Sequence, residues 1–372
     1  WLVLARALAA QELGPLQWPD PVPDATEPRP ARPDWVLAFG ADGTVTDDQP
    51  QWSVLAELNP SVFLWVGGPD PIPEAKPEKP NRRGFFARFR NREPEPQDQR
   101  FQAVRSASQM LPTWPAGPDW AAIGVPQQAR RAAKKQLLTF FEFPQQAQVA
   151  ARPGLYYAAR YGTGDQAVQI LVLDTASFRS PFQRDPETGG FVPDIAMGAT
   201  LLGAGQWAWL KDRLDAPARL RLIVSPLPVL AERHARPGWW AFPVEKLRLM
   251  EALRVRETGG VVFLSSSRAA GALYRHDGAL TYPLYELVGG AMAAASAGAS
   301  RDNEEDAPPL DRSPVYTGAN LGLVTLDRGR DRVGLSLVPL TTGGDAVPAP
   351  AVQADIALTD LVPGALPEPP QD

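Results

Sequence analysis

Five strings between residues 154 and 290 decide the fold: GLYYAARYG (154–162), VQILVLDTASFRSPF (168–182), LLGAGQWAWLKDRLDAPARLRLIVS (201–225), GVVFLSSSRAAGAL (260–273) and YPLYELVGG (282–290). Residues 168–174 are apolar on both faces, as expected of a strand in a sheet covered on two sides. Over 206–214 the period changes, and Trp207, Leu210 and Leu214 fall on one helical face. Residues 219–225 and 260–265 read as further strands, with a helix over 244–257 between them. Strand alternates with helix, the pattern of an α/β domain, although alternation alone does not number the layers.

Toward the amino terminus, WVLAFG (35–40) and SVFLWVG (61–67) are short apolar runs that predict buried strands, with a helix over 52–58 between them. Strand, helix, strand at this spacing is a βαβ unit, in which functional residues are expected just after each strand. A helix is predicted over 127–141, with Leu137, Leu138, Phe140 and Phe141 late in the run. Toward the carboxyl terminus, 321–326 and 332–337 alternate around Asp327-Arg-Gly-Arg-Asp331, which predicts a hairpin. No internal repeat of fixed period is present.

The 372 residues are 44% hydrophobic, enough for one large core or two modest ones. A net charge of -5 argues against a general nucleic-acid binder, and no nucleic-acid partner is expected. Cysteine is absent, which excludes disulfides, thiolate metal sites and a cysteine nucleophile. The 41 prolines crowd into 14–33, 69–96, 308–314 and the tail after 348, so these stretches are expected to be loops or extended linkers. Residues 1–10, apolar and rich in alanine, resemble the end of a secretory signal, with a short amphipathic helix as the other reading; the first implies an extracytoplasmic location. The expected organisation is this segment, a Pro-rich linker over 11–34, one domain over 35–340 with an insertion at 69–99, and a Pro-rich tail over 341–372.

The insertion carries Arg82, Arg83, Phe85, Phe86, Arg88, Phe89 and Arg90. Arginine interleaved with aromatics suits an anionic lipid or nucleic acid, and a protein partner or a peripheral membrane contact would engage these residues. In an acidic chain the plainer reading is a solvated loop whose phenylalanines dock on the body.

The five strings closely resemble the alkaline phosphatase D (PhoD-like) family of metallophosphatases. The resemblance implies the metallophosphoesterase four-layer α/β/β/α sandwich, with two mixed β-sheets face to face and helices outside. It also implies two metal ions, such as iron, calcium or zinc. The motifs that hold those ions in the family are altered here. Where the family follows its first strand with Gly-Ser-Cys, this chain has Gly40, Ala41 and Asp42. The family's Gly-Asp-Asn-Ile-Tyr, whose Asp bridges the metals, is Gly67-Gly68-Pro69-Asp70-Pro71. Its Thr-Trp-Asp-Asp-His-Asp is Thr113-Trp114-Pro115-Ala116-Gly117-Pro118, followed by Asp119. In the middle strand Asp174, Thr175, Ser177, Phe178 and Arg179 match, and Ala176 replaces a common Arg. Ser-Gly-Asp-Arg-His-Phe-Ala-Glu has become Ser265-Ser266-Ser267-Arg268-Ala269-Ala270-Gly271-Ala272, and the final His falls near Ala294.

A two-metal hydrolytic site needs several convergent carboxylates and imidazoles. The chain has two histidines, His234 and His276, both in segments that read as loop or turn. No catalytic residue and no cofactor are therefore expected, with Asp42, Asp70 and Asp119 the residual metal candidates; Asp42 and Asp70 are also explained as turn aspartates, and Asp119 stands one place beyond its motif. Ser265-Ser266-Ser267 has no nucleophile elbow around it. The reading favoured by these substitutions is a catalytically inactive PhoD-like protein, a structural, scaffold or accessory subunit with a protein partner. The alternatives are a divergent phosphomonoesterase or phosphodiesterase with a relocated metal site, and a metal-free anion binder using Arg179 or Arg268.

Overall fold

A computed structural model describes residues 33–41, 50–66, 99–114, 127–143, 146–231, 237–266, 271–292, 311–340 and 347–365. All of them lie in one compact unit, Pro33–Asp372. The strands in chain order are β1 (Trp35–Gly40), β2 (Val62–Trp65), β3 (Gln109–Pro112), β4 (Tyr157–Tyr161), β5 (Val168–Val172), β6 (Gln183–Arg184), β7 (Phe191–Val192) and β8 (Leu220–Ser225). They continue with β9 (Val261–Ser266), β10 (Ala272–His276), β11 (Leu284–Gly289), β12 (Asp311–Arg312), β13 (Asn320–Asp327), β14 (Arg332–Pro339) and β15 (Val352–Ala357). The helices are α1 (Pro50–Leu58), α2 (Gln99–Ala107), α3 (Gln127–Phe140), α4 (Gln146–Ala151), α5 (Gly203–Leu214) and α6 (Pro243–Val255).

Two large mixed sheets form, as expected. One has the order β15-β14-β13-β1-β2-β3 and the other β12-β10-β11-β9-β8-β5-β4. In the first, β1, β2 and β3 are parallel, with Leu37 opposite Val62 and Leu64 opposite Leu111, and β13 runs antiparallel on the other side of β1. In the second, β5, β8, β9 and β11 are parallel. The predicted βαβ unit is β1-α1-β2, and the predicted hairpin is β13–β14, closed by Asp327 opposite Arg332. The architecture is a four-layer metallophosphoesterase-like α/β/β/α sandwich.

Each sheet is covered by the helices its sequence supplies. Against the six-stranded sheet, Trp52 and Leu55 of α1 and Phe101 and Val104 of α2 pack on Phe63, Trp65 and Met110. Trp52 stands at the centre, its ring 4.8 Å from Phe101 and 6.0 Å from Phe63. On α5 the predicted face, Trp207, Leu210 and Leu214, is buried, and on α6 Leu249, Ala252 and Leu253 are. The two sheets meet closely where β14 crosses the end of β11. The Leu337 side chain occupies the space a Cβ on Gly271 or Gly289 would need. At the far edges, the Tyr157 hydroxyl of β4 donates to the Pro112 carbonyl of β3 at 2.7 Å.

Two expectations are corrected. The Pro-rich tail, read as linker, supplies β15, which pairs antiparallel with β14 from Arg332 opposite Ala357 to Leu337 opposite Val352. Val352, Ala354 and Ile356 are buried and alternate with exposed Gln353 and Asp355. Pro348 and Pro350 precede this strand and leave its donors intact, so composition hid it. His276, read as part of a turn, instead closes β10, opposite Leu284. The described residues contain no helix long and apolar enough to cross a membrane. The 1–10 segment, the 11–32 part of the linker, and nearly all of the 69–99 insertion, including Arg82, Arg83, Phe85, Phe86, Arg88, Phe89 and Arg90, lie outside the described residues.

Candidate functional site

In open parallel sheets ligands gather at the carboxyl ends of the strands, because that is where connecting loops converge. Here those ends belong to β1, β2 and β3 in one sheet and to β9 and β11 in the other. The described residues at or just past these ends are Gly40–Ala41, Val66, Thr113–Trp114, Ser266 and Gly290–Met292.

These ends are joined by backbone. Ala41 N donates to Gly290 O at 2.5 Å, and Met292 N donates to Ala41 O at 2.9 Å. Ala41 and Ala291 thereby form a parallel bridge linking one sheet to the other. Val66 N donates to Gly40 O at 2.8 Å and Thr113 N to Trp65 O at 2.9 Å, which continues the ladder past the strands. Asn320 completes the junction: its N donates to Ala291 O at 2.8 Å, its Oδ1 accepts from Gly290 N at 2.7 Å, and its Nδ2 donates to Gly318 O at 2.9 Å. Gly290 has φ +81°, and a Cβ there would press on Gly40 Cα at 3.0 Å, so glycine is required at this crossing.

The described residues at this junction are largely apolar. Met292 is buried, and its Sδ would lie 2.5 Å from a Cβ on Gly40. Met292 belongs to the same core cluster as Ala38, Trp65 and Leu321. A flexible thioether fills irregular gaps of this kind, but it is no ligand for a hard or borderline cation. Ala41, Trp65 and Trp114 are also buried. Among the described residues, no three His, Asp or Glu side chains come together to hold a metal. The described strand-end residues therefore supply no carboxylate or imidazole to a cation. Asp42, Asp70, Asp119, Arg268 and His234 lie outside the described residues. His276, at the start-of-β11 end of its sheet, is at the opposite end of the strand from this junction.

The remaining named residues are committed to architecture. Asp174, after β5, accepts from Leu155 N at 2.7 Å, Ser177 N at 2.8 Å and Ala176 N at 3.0 Å. Arg179 is buried, with Nε donating to Thr175 O at 3.2 Å and the guanidinium 3.7 Å above the Phe182 ring. Ser265 Oγ donates to Glu286 Oε1 at 2.7 Å.

Buried charged side chains that the sequence did not point to include Glu286, Glu245 and Lys134. Glu286, in the middle of β11, accepts from Val229 N and Leu230 N at 2.7 Å and Ala231 N at 3.0 Å, as well as from Ser265. Burial pushes its pKa up, against the pull of those four donors. Glu245 collects Leu201 N, Leu202 N, Thr200 Oγ1 and the Trp207 indole, tying α6 to α5. Lys134, buried on α3, donates to the carbonyls of Val149, Arg152 and Gly154 around the end of α4. Burial lowers its pKa to about 8, opposed by nearby Asp174. A lone Glu between Tyr285 and Leu287 in an apolar run was the signal available for the first of these.

No family model and no curated protein matches this sequence. Solved structures do match. One described as "Structure of PhoD" superposes with a TM-score of 0.54 at 15% identity, covering 88% of this chain and 69% of that one. The chain has a PhoD-like fold. A second, described as "GAP50 the anchor in the inner membrane complex of Plasmodium", matches the PhoD-like chain with a TM-score of 0.50 at 10% identity, over 91% of this chain and 98% of its own. At these identities the likeness is one of fold.

Proposed function

We propose that this PhoD-like chain is catalytically inactive and acts as a structural, scaffold or accessory subunit for a protein partner. The observation that carries the reading is the junction of the two sheets. At the position where a metallophosphatase of this fold would converge its ligands, a Met292 thioether packs on Gly40 and the Ala41–Gly290 backbone pair closes the strand ends. The polar side chains at the junction and beside it are engaged: Asn320 bonds the Gly290 and Gly318 backbone, and the Ser265 hydroxyl donates to Glu286. A fold retained with apolar residues at the described strand ends is consistent with selection for the surface rather than the cleft. That a protein of similar fold is described as an anchor supports the same direction.

The test is elemental analysis of the purified chain together with phosphomonoester and phosphodiester assays on the same sample. The expected result is no stoichiometric metal and no turnover above buffer, with or without added iron, calcium, zinc or manganese. Stoichiometric metal with turnover abolished by a chelator overturns the proposal and returns attention to Asp42, Asp70 and Asp119.

A further inference from the structure

Among the described residues, the large apolar side chains that stand exposed are Ile195 (76%), Met197 (91%), Val244 (38%), Leu247 (69%) and Val255 (61%). All belong to α6 or to the segment beside its start. Asp194 N donates to Ala241 O at 2.8 Å, and Leu201 N and Thr200 Oγ1 donate to Glu245, so the 194–201 segment is tied at both ends to residues 241–245. Exposed apolar groups scattered singly need no explanation, but gathered on one face they mark an interaction surface.

The outer face of α6 has an order of its own. Val244, Arg248, Glu251 and Val255 are spaced by four, three and four residues, the spacing of a coiled-coil seam. The opposite face, with Leu249, Ala252 and Leu253, is buried in the protein, so the helix is two-sided. Read in reverse, the stripe is complementary to itself. An antiparallel second α6 would set Val244 against the second copy's Val255 and Arg248 against its Glu251, and both pairs share one midpoint between Leu249 and Met250. Leu247 flanks the seam between Val244 and Arg248, and Ile195 and Met197 stand on the segment tied to the start of the helix.

The charged middle is free enough to take part. The Arg248 guanidinium lies over the Trp207 ring at 4.4 Å and donates to Glu245 at 3.3 Å, which fixes its direction, while 44% of its side chain stays exposed to meet a second carboxylate. Glu251 pairs with Arg254 at 2.7 Å, both more than half exposed, and exposed pairs of this kind contribute little and exchange readily.

We infer that the α6 face is an isologous self-association surface on which a second copy of this chain docks with its α6 antiparallel to the first. A closed two-fold arrangement follows, since one patch meets itself. The inference stands on surface residues alone and does not depend on whether the chain binds metal.

Sedimentation of the full chain at micromolar concentration should show a dimer. Leu247→Glu and Val255→Glu, both on exposed positions, should weaken association at least tenfold while leaving the unfolding midpoint unchanged. Direction is read by disulfide trapping, which is clean because the chain has no cysteine. Oxidising a mixture of Val244→Cys and Val255→Cys chains should give a linked heterodimer. Either variant alone should not link, because like positions lie about 16 Å apart along an antiparallel pair. A monomer at about 100 μM, or equal linking of each variant with itself, overturns the proposal.

Discussion

At the scale of single residues, the protein is held by polar groups turned inward. Glu286 is the clearest. Glu286→Ala would leave three backbone N–H groups and the Ser265 hydroxyl without an acceptor in a dry interior, and about 4 kcal/mol of stability should be lost, measured by chemical denaturation. A loss within 1 kcal/mol would show that water reaches the site. Gly40 and Met292 form a second test. Gly40→Ala puts a methyl on the Met292 side chain and should cost about 1–3 kcal/mol; in a Met292→Ala background that cost should largely vanish, a coupling that a double-mutant cycle reads directly. Lys134 supplies a pH signature. Its folded pKa, near 8, is below the unfolded value of 10.5, so between these the unfolded chain binds more protons and stability should rise with pH. Denaturation midpoints of wild type and Lys134→Met across pH 8–10.5 should diverge, with the wild-type increment, at most about 3 kcal/mol, missing in the variant. None of these three roles was legible from composition, because a buried Glu or Lys looks like a surface residue until its donors or acceptors are located.

At the scale of elements, periodicity carried most of the reading. The apolar runs 168–174, 219–225 and 260–265 became β5, β8 and β9, and the 3.6-residue pattern of Trp207, Leu210 and Leu214 became the buried face of α5. The exception is β15. Truncation before Val352 would strip Val352, Ala354 and Ile356 from β14 and expose its edge. We expect a lower unfolding midpoint and concentration-dependent aggregation by light scattering, since an uncovered edge templates pairing. An unchanged midpoint would mean that β15 is only an appendage. Proline density misled here because its effect is positional: two prolines upstream of a strand cost it nothing, whereas two inside would have removed it.

At the scale of the whole molecule, the decisive contact is the junction between sheets. Asn320 joins β13 to Gly290 and Gly318 with side-chain bonds, and Ala41 joins β1 to the residues after β11. Asn320→Ala should therefore cost more than one ordinary hydrogen bond, about 2–3 kcal/mol in a denaturant series, because it leaves the buried Gly290 N–H unpaired. The α/β class, the elements around 154–290 and the substitution of expected ligands by Gly, Ala, Pro and Ser were determined by the sequence alone, since hydrophobic period and side-chain chemistry are local properties. That Met292 would come to rest on Gly40, that Glu286, Glu245 and Lys134 would find their partners, that the tail would close the sheet and that α6 would leave a self-complementary stripe outside were decided only by tertiary structure. Each depends on residues far apart in the chain meeting in space, and no local pattern encodes which distant backbone a side chain will face.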